Sequence, residues 1–326
     1  MVVLMARRIN WEDQIGLRLR LRDLHVLFTV AQQGSMAKAA SEIGISQPAV
    51  SEVIAGLESA LGVRLFDRHA QGVELTIYGQ TLVQRSVGAF DELRQGVRDI
   101  EFLSQAASGD IRIGCGPATC AVLMCQLIRE FNRAYPNVVI HLSETPPPRR
   151  ELDELRDRKY DVIFAHWVAS LPQDVIGDDL EVTPLFDDPL VLACNSDSKW
   201  AAGQSVELAE LANERWIISR PPGRAYMSLA HAFQSEGLAM PTQSLITSSV
   251  LIRAQLLQAN EPYLTACPKS FAKHYALKVL PIRWNMPLWS VVAVTLKNRT
   301  LSPIVNRLVD CARECGKRVA KSRSAR

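Results

Sequence analysis

No apolar run in this chain approaches the roughly 18 residues that a helix needs to cross a bilayer, so no membrane-spanning segment is predicted. In the opening MVVLMARRIN the apolar patch stands before its arginines, the reverse of a secretory signal, and the expected location is the cytoplasm. No C-x-x-C occurs, and no histidine lies at zinc-ligand spacing beside a cysteine pair. Cys115, Cys120, Cys125, Cys194, Cys267, Cys311 and Cys315 are therefore expected as reduced, buried thiols, a redox sensor being the alternative. The six histidines are scattered and form no metal constellation. Walker, G-x-S-x-G, H-E-x-x-H and GxGxxG motifs are all missing, and GCGPAT at 114–119 reads as a loop. The expectation is a protein that is not an enzyme, with no cofactor and no metal.

Strong charge of one sign is also lacking: the formal balance is +3. Residues 1–110 carry 11 Lys and Arg against 13 Asp and Glu, so nucleic-acid binding there must rest on where cations sit, not on a basic domain. The positive excess comes from the end of the chain, where Arg313, Lys317, Arg318, Lys321, Arg323 and Arg326 face only Glu314. Residues 316–326 read as a solvated basic tail, with an accessory DNA or partner contact as the other reading.

The 326 residues suffice for two or three units with proper cores. Residues 1–20 form an extension in which Asn10 caps a short helix holding Trp11 and Ile15. Leu24, Leu27, Phe28 and Ala31 then recur at helical steps and stop at Gly34. Ser35 opens a slim second helix through Ile43, Gly44-Ile45 makes a tight turn, and Ser46 caps a third helix with Pro48 in its first turn. Two helices joined by so short a turn are a helix-turn-helix. RLFDRHAQGVELT follows as a hairpin, or wing, with Gln71-Gly72 at its tip.

From Thr76 to about Gln105 one long helix is predicted. Val83, Val87, Phe90, Leu93, Val97 and Ile100 line it at three- and four-residue steps, the seam of a self-pairing rod. A helix packed on its own domain is the alternative. Ser108-Gly109-Asp110 closes it.

Strands and helices then alternate: strands at 111–114, 138–143, 161–165, 190–194, 216–219 and 289–294, and helices at 120–134, 148–159, 205–213, 224–236, 248–259 and 302–313. This is α/β architecture, expected with mostly parallel sheets in two subdomains. Pro146-Pro147-Pro148 reads as a stiff lead-in to its helix.

The third helix presents Ser46, Gln47, Pro48, Ala49 and Ser51. Gln47 suits an adenine edge, the serines bases or phosphates, and Pro48 or Ala49 a thymine methyl. Lys38, Arg64 and Arg68 are placed to clamp phosphates. An ordinary helical hairpin is the other reading.

Through LHVLFTVAQQGSMAKAASEIGISQPAVSEVIAGLESALGVRLFDRHAQGVELTIYG the chain resembles the LysR-type transcriptional regulators, SQPAVS and LGVRLFDR being the most specific parts. Weaker matches extend over residues 20–312. The resemblance implies an all-α winged helix-turn-helix at 21–78 and a linker and dimerisation helix at 79–107. It further implies a type-2 periplasmic-binding-protein-like effector module at 110–315, with subdomain I at about 110–185 and 285–315 and subdomain II at about 186–284. It also implies binding of double-stranded DNA at an imperfect inverted repeat, self-association to a dimer and then a homotetramer, and contact with RNA polymerase. Lys38, Ser46, Gln47, Pro48, Ala49, Ser51, Arg64 and Arg68 match the family's DNA-contacting positions. Many family members have basic residues where this chain has Glu52, Ala55 and Gly56, so its binding is expected to lean on dimerisation and the wing.

In α/β folds ligands gather at the carboxyl ends of strands, near helix N-termini. Cys115, Gly116, Pro117, Ala118 and Thr119, then Glu144 and Thr145, then His166 with Trp167 are such loops. They match the family's effector-contacting loops, with Arg220 to Arg224, Thr247, Ser248, Ser249 and Pro268 facing them from the second subdomain. Arg224 and His166 suggest an anionic or polyhydroxylated small molecule. Glu261 stands where a Gly-x-Gly is common, fitted to bond sugar hydroxyls or to repel a carboxylate. An architectural DNA binder without an effector, and a solute-binding or enzymatic α/β protein, are the competing functions.

Overall fold

The computed structural model describes residues 17–69, 72–104, 108–145, 148–168, 177–202, 205–241, 244–259, 261–282, 284, 286 and 288–321. The expected helix around Trp11, the wing tip at Gln71 and the lead-in prolines Pro146-Pro147 lie outside them. The chain forms two compact units, Met1–Leu93 and Arg94–Arg326.

In the first unit, helices α1 (Leu21–Gln33), α2 (Met36–Ile43) and α3 (Gln47–Leu61) precede strands β1 (Phe66–His69) and β2 (Gly72–Leu75) and the start of α4 (Ile77–Ser104). Leu27, Val30, Val50, Ile54 and Leu57 are at most 1% exposed, each contributing about 1.5–3 kcal/mol by leaving water. Gly44 makes the turn before α3 with φ 76°, a conformation a side chain would strain. Glu58 fixes the wing to α3: its Oε1 accepts the amides of Leu65 at 2.8 Å and Phe66 at 3.3 Å. The wing also leans on the end of α1. Val73 N–H donates to the Gly34 carbonyl at 2.9 Å, and a Cβ on Gly72 would lie 2.4 Å from that oxygen. Thr76 caps α4, accepting the Gly79 amide at 3.1 Å and donating to the Arg64 carbonyl at 2.7 Å.

The second unit holds two five-stranded sheets. The first has the order β4 (Val138–Glu144), β3 (Gly109–Cys115), β5 (Val162–Val168), β12 (Trp289–Leu296), β6 (Leu180–Asp187). The second has the order β11 (Lys278–Val279), β7 (Leu190–Cys194), β10 (Tyr263–Pro268), β8 (Arg215–Ile218), β9 (Ser244–Ile246). The chain crosses between sheets twice, at Asp188-Pro189 and again between β11 and β12. The sheets are mixed, which corrects the expectation of mostly parallel ones: β12 runs antiparallel to β5 and β6, and β7 antiparallel to β10 and β11. The returning strands at both crossovers reverse direction, and single-pattern reading of apolar runs does not register that.

Helix α5 (Pro117–Thr119) continues through a π-helical turn, Cys120–Met124, into α6 (Cys125–Ala134). The remaining helices are α7 (Pro148–Arg156), α8 (Leu208–Leu211), α9 (Arg224–Ser235), α10 (Val250–Gln258), α11 (Lys269–His274) and α12 (Pro303–Lys321). The helix expected over 205–213 is thus only the four residues of α8. Strands β6, β9, β10 and β11 and helix α11 were not anticipated. Helix α12 runs well past the expected end at 313. Cys315 is buried, Gly316 lies close against Leu185 and Phe186, and Arg318 pairs with Glu130, so the chain stays helical to Lys321.

Asp161 anchors the first sheet. Its carboxylate, 1% exposed, accepts Arg112 N–H at 2.7 Å, the Arg112 guanidinium at 2.9 Å and Arg299 at 2.6 Å, with Arg98 of α4 at 3.5 Å. Burial opposes its ionisation, but Arg112 and Arg299 outweigh that and hold the carboxyl below the usual carboxylate range. Of the seven thiols, all free, Cys115, Cys194, Cys267 and Cys315 are buried, while Cys120 and Cys311 are half-buried and Cys125 is exposed, against the expectation of burial throughout.

Candidate functional site

The first turn of α3 is built by its cap. Ser46 Oγ accepts the Ala49 amide at 3.4 Å, and Pro48 occupies a first-turn position whose amide has no helical partner in any case. The apolar face of α3 is sealed by Val50, Ile54 and Leu57, which leaves Ser46, Gln47 and Pro48 exposed and Ala49 half-buried. Ser51 is half-buried, and its hydroxyl turns toward Met36 Sδ at 3.3 Å. Lys38 on α2, Arg64 before the wing and Arg68 on β1 are exposed. The same elements also expose Glu52, Ala55 and Gly56.

On α4, Val83 packs partly into the core of the first unit, and Val87 and Phe90 are half-buried. Further along, Leu93, Val97 and Ile100 are 51%, 56% and 66% exposed. The buried positions of the same helix include Ser86 and Gln95, at 2% and 3%. An apolar stripe facing water while polar residues are covered is the inverse of a helix packed on its own domain.

In the second unit a cleft of about 180 Å³ opens between the two sheets, at the N-termini of α5, α9 and α10. Of the residues anticipated from sequence it gathers Gly116, Pro117, Ala118, Thr119, Thr145 and His166 from one side, and Arg220, Gly223, Arg224, Ser248 and Pro268 from the other. Cys115, Glu144, Trp167, Pro221, Pro222, Thr247 and Ser249 lie outside its lining. Cys115 is fully buried at the end of β3, Glu144 is exposed in an adjoining depression, and Thr247 supports the wall by accepting the Ser249 amide at 3.0 Å. Glu261 is also outside, 3.8 Å from Arg215.

The cleft contains two polar devices that the sequence did not reveal. Glu151 of α7, 1% exposed, accepts the Thr145 hydroxyl at 2.8 Å and pairs with Arg224 across the cleft. The guanidinium of Arg224 therefore already has a counter-ion, and it also lies 5.8 Å from the Trp167 ring. The second device is a chain of buried groups. Thr119 Oγ1 is 2.9 Å from His166 Nδ1, and His166 Nε2 is 2.9 Å from Asp188 Oδ2. Asp188 then accepts Ser270 N–H at 2.9 Å and the Ser270 hydroxyl. A carboxylate can only accept, so the proton belongs on His166 Nε2, and in the neutral ring Thr119 donates to Nδ1. Burial opposes the charge on Asp188, but His166 and Ser270 outweigh it and hold the carboxyl below the usual range. Asp188 lies at a crossover between sheets, so this chain joins residues from both.

Ser219, Ala225, Val250, Arg253 and Trp289 complete the lining and were likewise not foreseen. Arg253 had a signal: it is the single charge in the apolar helix VLIRAQLLQ. Elsewhere, ligand atoms of Glu130, Cys311 and Cys315 lie within 4.8 Å of one another, but Arg318 already occupies Glu130. No described helix is long and apolar enough to cross a membrane.

These two sites can be set beside known proteins. Residues 21–80 match the bacterial regulatory helix-turn-helix proteins of the lysR family, and residues 104–316 match the LysR substrate binding domain. This chain belongs to the LysR family. It is a LysR-type transcriptional regulator, with a DNA-binding helix-turn-helix followed by a substrate-binding domain for an effector. The HTH-type transcriptional regulator TdcA of Escherichia coli K12 is 28% identical over 298 residues, 90% of this chain and 93% of TdcA. Among solved structures, a full-length OxyR variant from Pseudomonas aeruginosa aligns with TM-score 0.61 at 21% identity, covering 91% of this chain and 94% of its own. Full-length CbnR, complexed with its target DNA, aligns with TM-score 0.59 at 20% identity, covering 90% and 99%. At these identities the two structures share the LysR architecture with this chain, and that is the extent of the likeness.

Proposed function

We propose that this LysR regulator reads DNA with the first turn of α3 and adjusts that reading when a small molecule occupies the cleft between its sheets. Ser46, Gln47, Pro48, Ala49 and Ser51 enter the major groove, and Lys38, Arg64 and Arg68 hold phosphates on either side. The single observation that carries this is the exposure of the polar first turn of a helix whose opposite face is fully buried. Ser46 is committed to its cap, and Ser51 is turned toward Met36, so Gln47 carries most of the base discrimination.

The exposed stripe of α4 (Leu93, Val97, Ile100, continuing from Val83, Val87 and Phe90) pairs two copies and sets two recognition helices at a fixed spacing on an inverted repeat. A dimer of such dimers is a tetramer, acting in the cytoplasm and contacting RNA polymerase. On this reading the DNA-binding head spans 21–78, the linker and dimerisation helix 79–107, and the effector module 110–315.

In the cleft, the Glu151–Arg224 pair ties one sheet's helices to the other's, so a ligand that stabilises or breaks it shifts the closure of the cleft. Closure changes the spacing of paired heads, which is how a bound metabolite reaches the operator. The test is a footprint and gel shift on the promoter beside the gene, with wild type and Gln47→Ala. Protection of an imperfect inverted repeat, with its preference over random DNA reduced by about 1–3 kcal/mol in the variant, is expected. Binding of that promoter no tighter than random DNA by the wild type overturns the reading.

A further inference from the structure

We infer that the effector is a small monocarboxylate, its carboxylate group seated against Arg253 and Trp289. This rests on reading the cleft as the effector site and deepens it by naming the ligand's chemistry.

The inference starts from hydrogen bonds that are not made. Three side-chain N–H groups in the cleft wall are buried without a partner: Nε of Arg224, Nε of Arg253 and Nε1 of Trp289. All three are donors, and no orphaned acceptor of the described residues lines the cleft. A buried donor left without an acceptor costs about 1–3 kcal/mol, so three at one place call for a group rich in acceptors.

The charges in the cleft set its valence. Arg224 and Glu151 cancel, and Asp188 is engaged by His166 and Ser270. Arg253, 5% exposed, has no carboxylate partner among the described residues. Its bonds go to the Ser219 hydroxyl at 2.8 Å and the Thr247 carbonyl at 3.3 Å, both neutral. Burial alone pushes its guanidinium below its ordinary value, the direction that a ligand's negative charge would reverse. The N-termini of α9 and α10 add partial positive charge at the same place. Arg220, also in the lining, is exposed and stays hydrated, so among the described residues Arg253 is the buried cation of the cleft without a carboxylate, and it calls for one negative charge. A phosphate brings more than that, and its bulk of acceptors does not suit the apolar part of the wall, formed by Pro117, Val250 and the face of Trp289. At about 180 Å³ the cleft lies below the range of about 300–1,000 Å³ usual for drug-sized ligands, so the acid is small.

The experiment titrates the full chain with monocarboxylates of about two to eight carbons, each beside its uncharged primary amide, and with inorganic phosphate and glucose. Thermal shift finds binders, and calorimetry ranks them. At least one acid is expected to bind, with its amide weaker by about tenfold or more. Arg253→Gln should lose that affinity by about tenfold or more, Arg253→Lys should retain part of it, and Trp289→Phe, which keeps the ring and deletes the N–H, should lose a few-fold. The inference is overturned if no acid binds, if acid and amide bind alike, if phosphate binds more tightly than every acid, or if Arg253→Gln or Arg253→Lys, folded by circular dichroism, binds the acid undiminished. Glucose or an amide that binds and alters operator affinity would remove the carboxylate while leaving the effector reading intact. An acid that binds without any change in operator affinity would do the reverse.

Discussion

In the helix-turn-helix unit the side chains assigned to recognition, among them Lys38, Gln47, Arg64 and Arg68, stand in water on a scaffold whose most buried side chains are apolar. In the cleft the arrangement is turned inside out: Glu151, Asp188 and Arg253 are 5% exposed or less and are held by other polar groups. An exposed reader can be altered without touching the fold, because nothing buried depends on it. A buried polar site cannot, because each group removed leaves its partner desolvated. Binding and stability should therefore separate cleanly in the first region and be entangled in the second.

The sharpest way to break this contrast is Asp161→Ala. Stripping the buried carboxylate from Arg112 and Arg299 should cost about 3–5 kcal/mol and lower the melting temperature of the second unit by roughly 6–20 °C in scanning calorimetry. A loss within about 0.5 kcal/mol, the surface value, would abolish the contrast. Acid should reveal the same dependence. Asp161 and Asp188 have carboxyls held below their unfolded value of about 3.9, so their contribution is complete above that pH and is lost as pH falls through the depressed value. Stability measured by denaturant titration should hold through the weakly acidic range and fall below about pH 4, less steeply in Asp161→Asn.

Next in size is Val97→Glu. A charge on the exposed stripe of α4 should weaken self-association by about 2 kcal/mol or more in sedimentation equilibrium while the melting temperature of dilute protein barely moves. A stable dimer in that variant would mean that the stripe has another purpose. Smaller still, Gln47→Ala should erase about 1–3 kcal/mol of preference for the operator over random DNA, with stability unchanged within about 0.5 kcal/mol. Ser46→Ala should be the smallest, removing about 1 kcal/mol of stability through its cap, because there, as at Ser51, recognition and folding share a side chain.

How much of each region could be read beforehand follows from the same contrast. The head is a sum of local signals: Ser46 as cap, Pro48 in the first turn, Gly44 and Gly62 at helix ends, and apolar residues at helical spacing between them. Much of the cleft wall was also legible, since Gly116 to Thr119, Thr145, His166, Arg224, Ser248 and Pro268 follow strands or open helices. What escaped was partnership. Glu151 reads as one charge among many in PRRELDELR, and nothing nearby in sequence says that its counter-ion is Arg224, 73 positions on. Strand β6 escaped because it is an edge strand carrying Pro184, which weakens the apolar pattern without breaking the pairing on its inner side.

Short-range order was thus settled along the chain: caps, turns and helix faces depend on neighbours a few residues apart, whose chemistry is visible in any linear reading. The direction of the returning strands, the pairing of Glu151 with Arg224, the Thr119–His166–Asp188–Ser270 chain and the solitary charge of Arg253 were decided only when distant segments packed together. Desolvation is the reason. Whether a polar group is satisfied, strained or left waiting for a ligand is a property of what surrounds it in space, and two sheets supply those surroundings from opposite ends of two hundred residues.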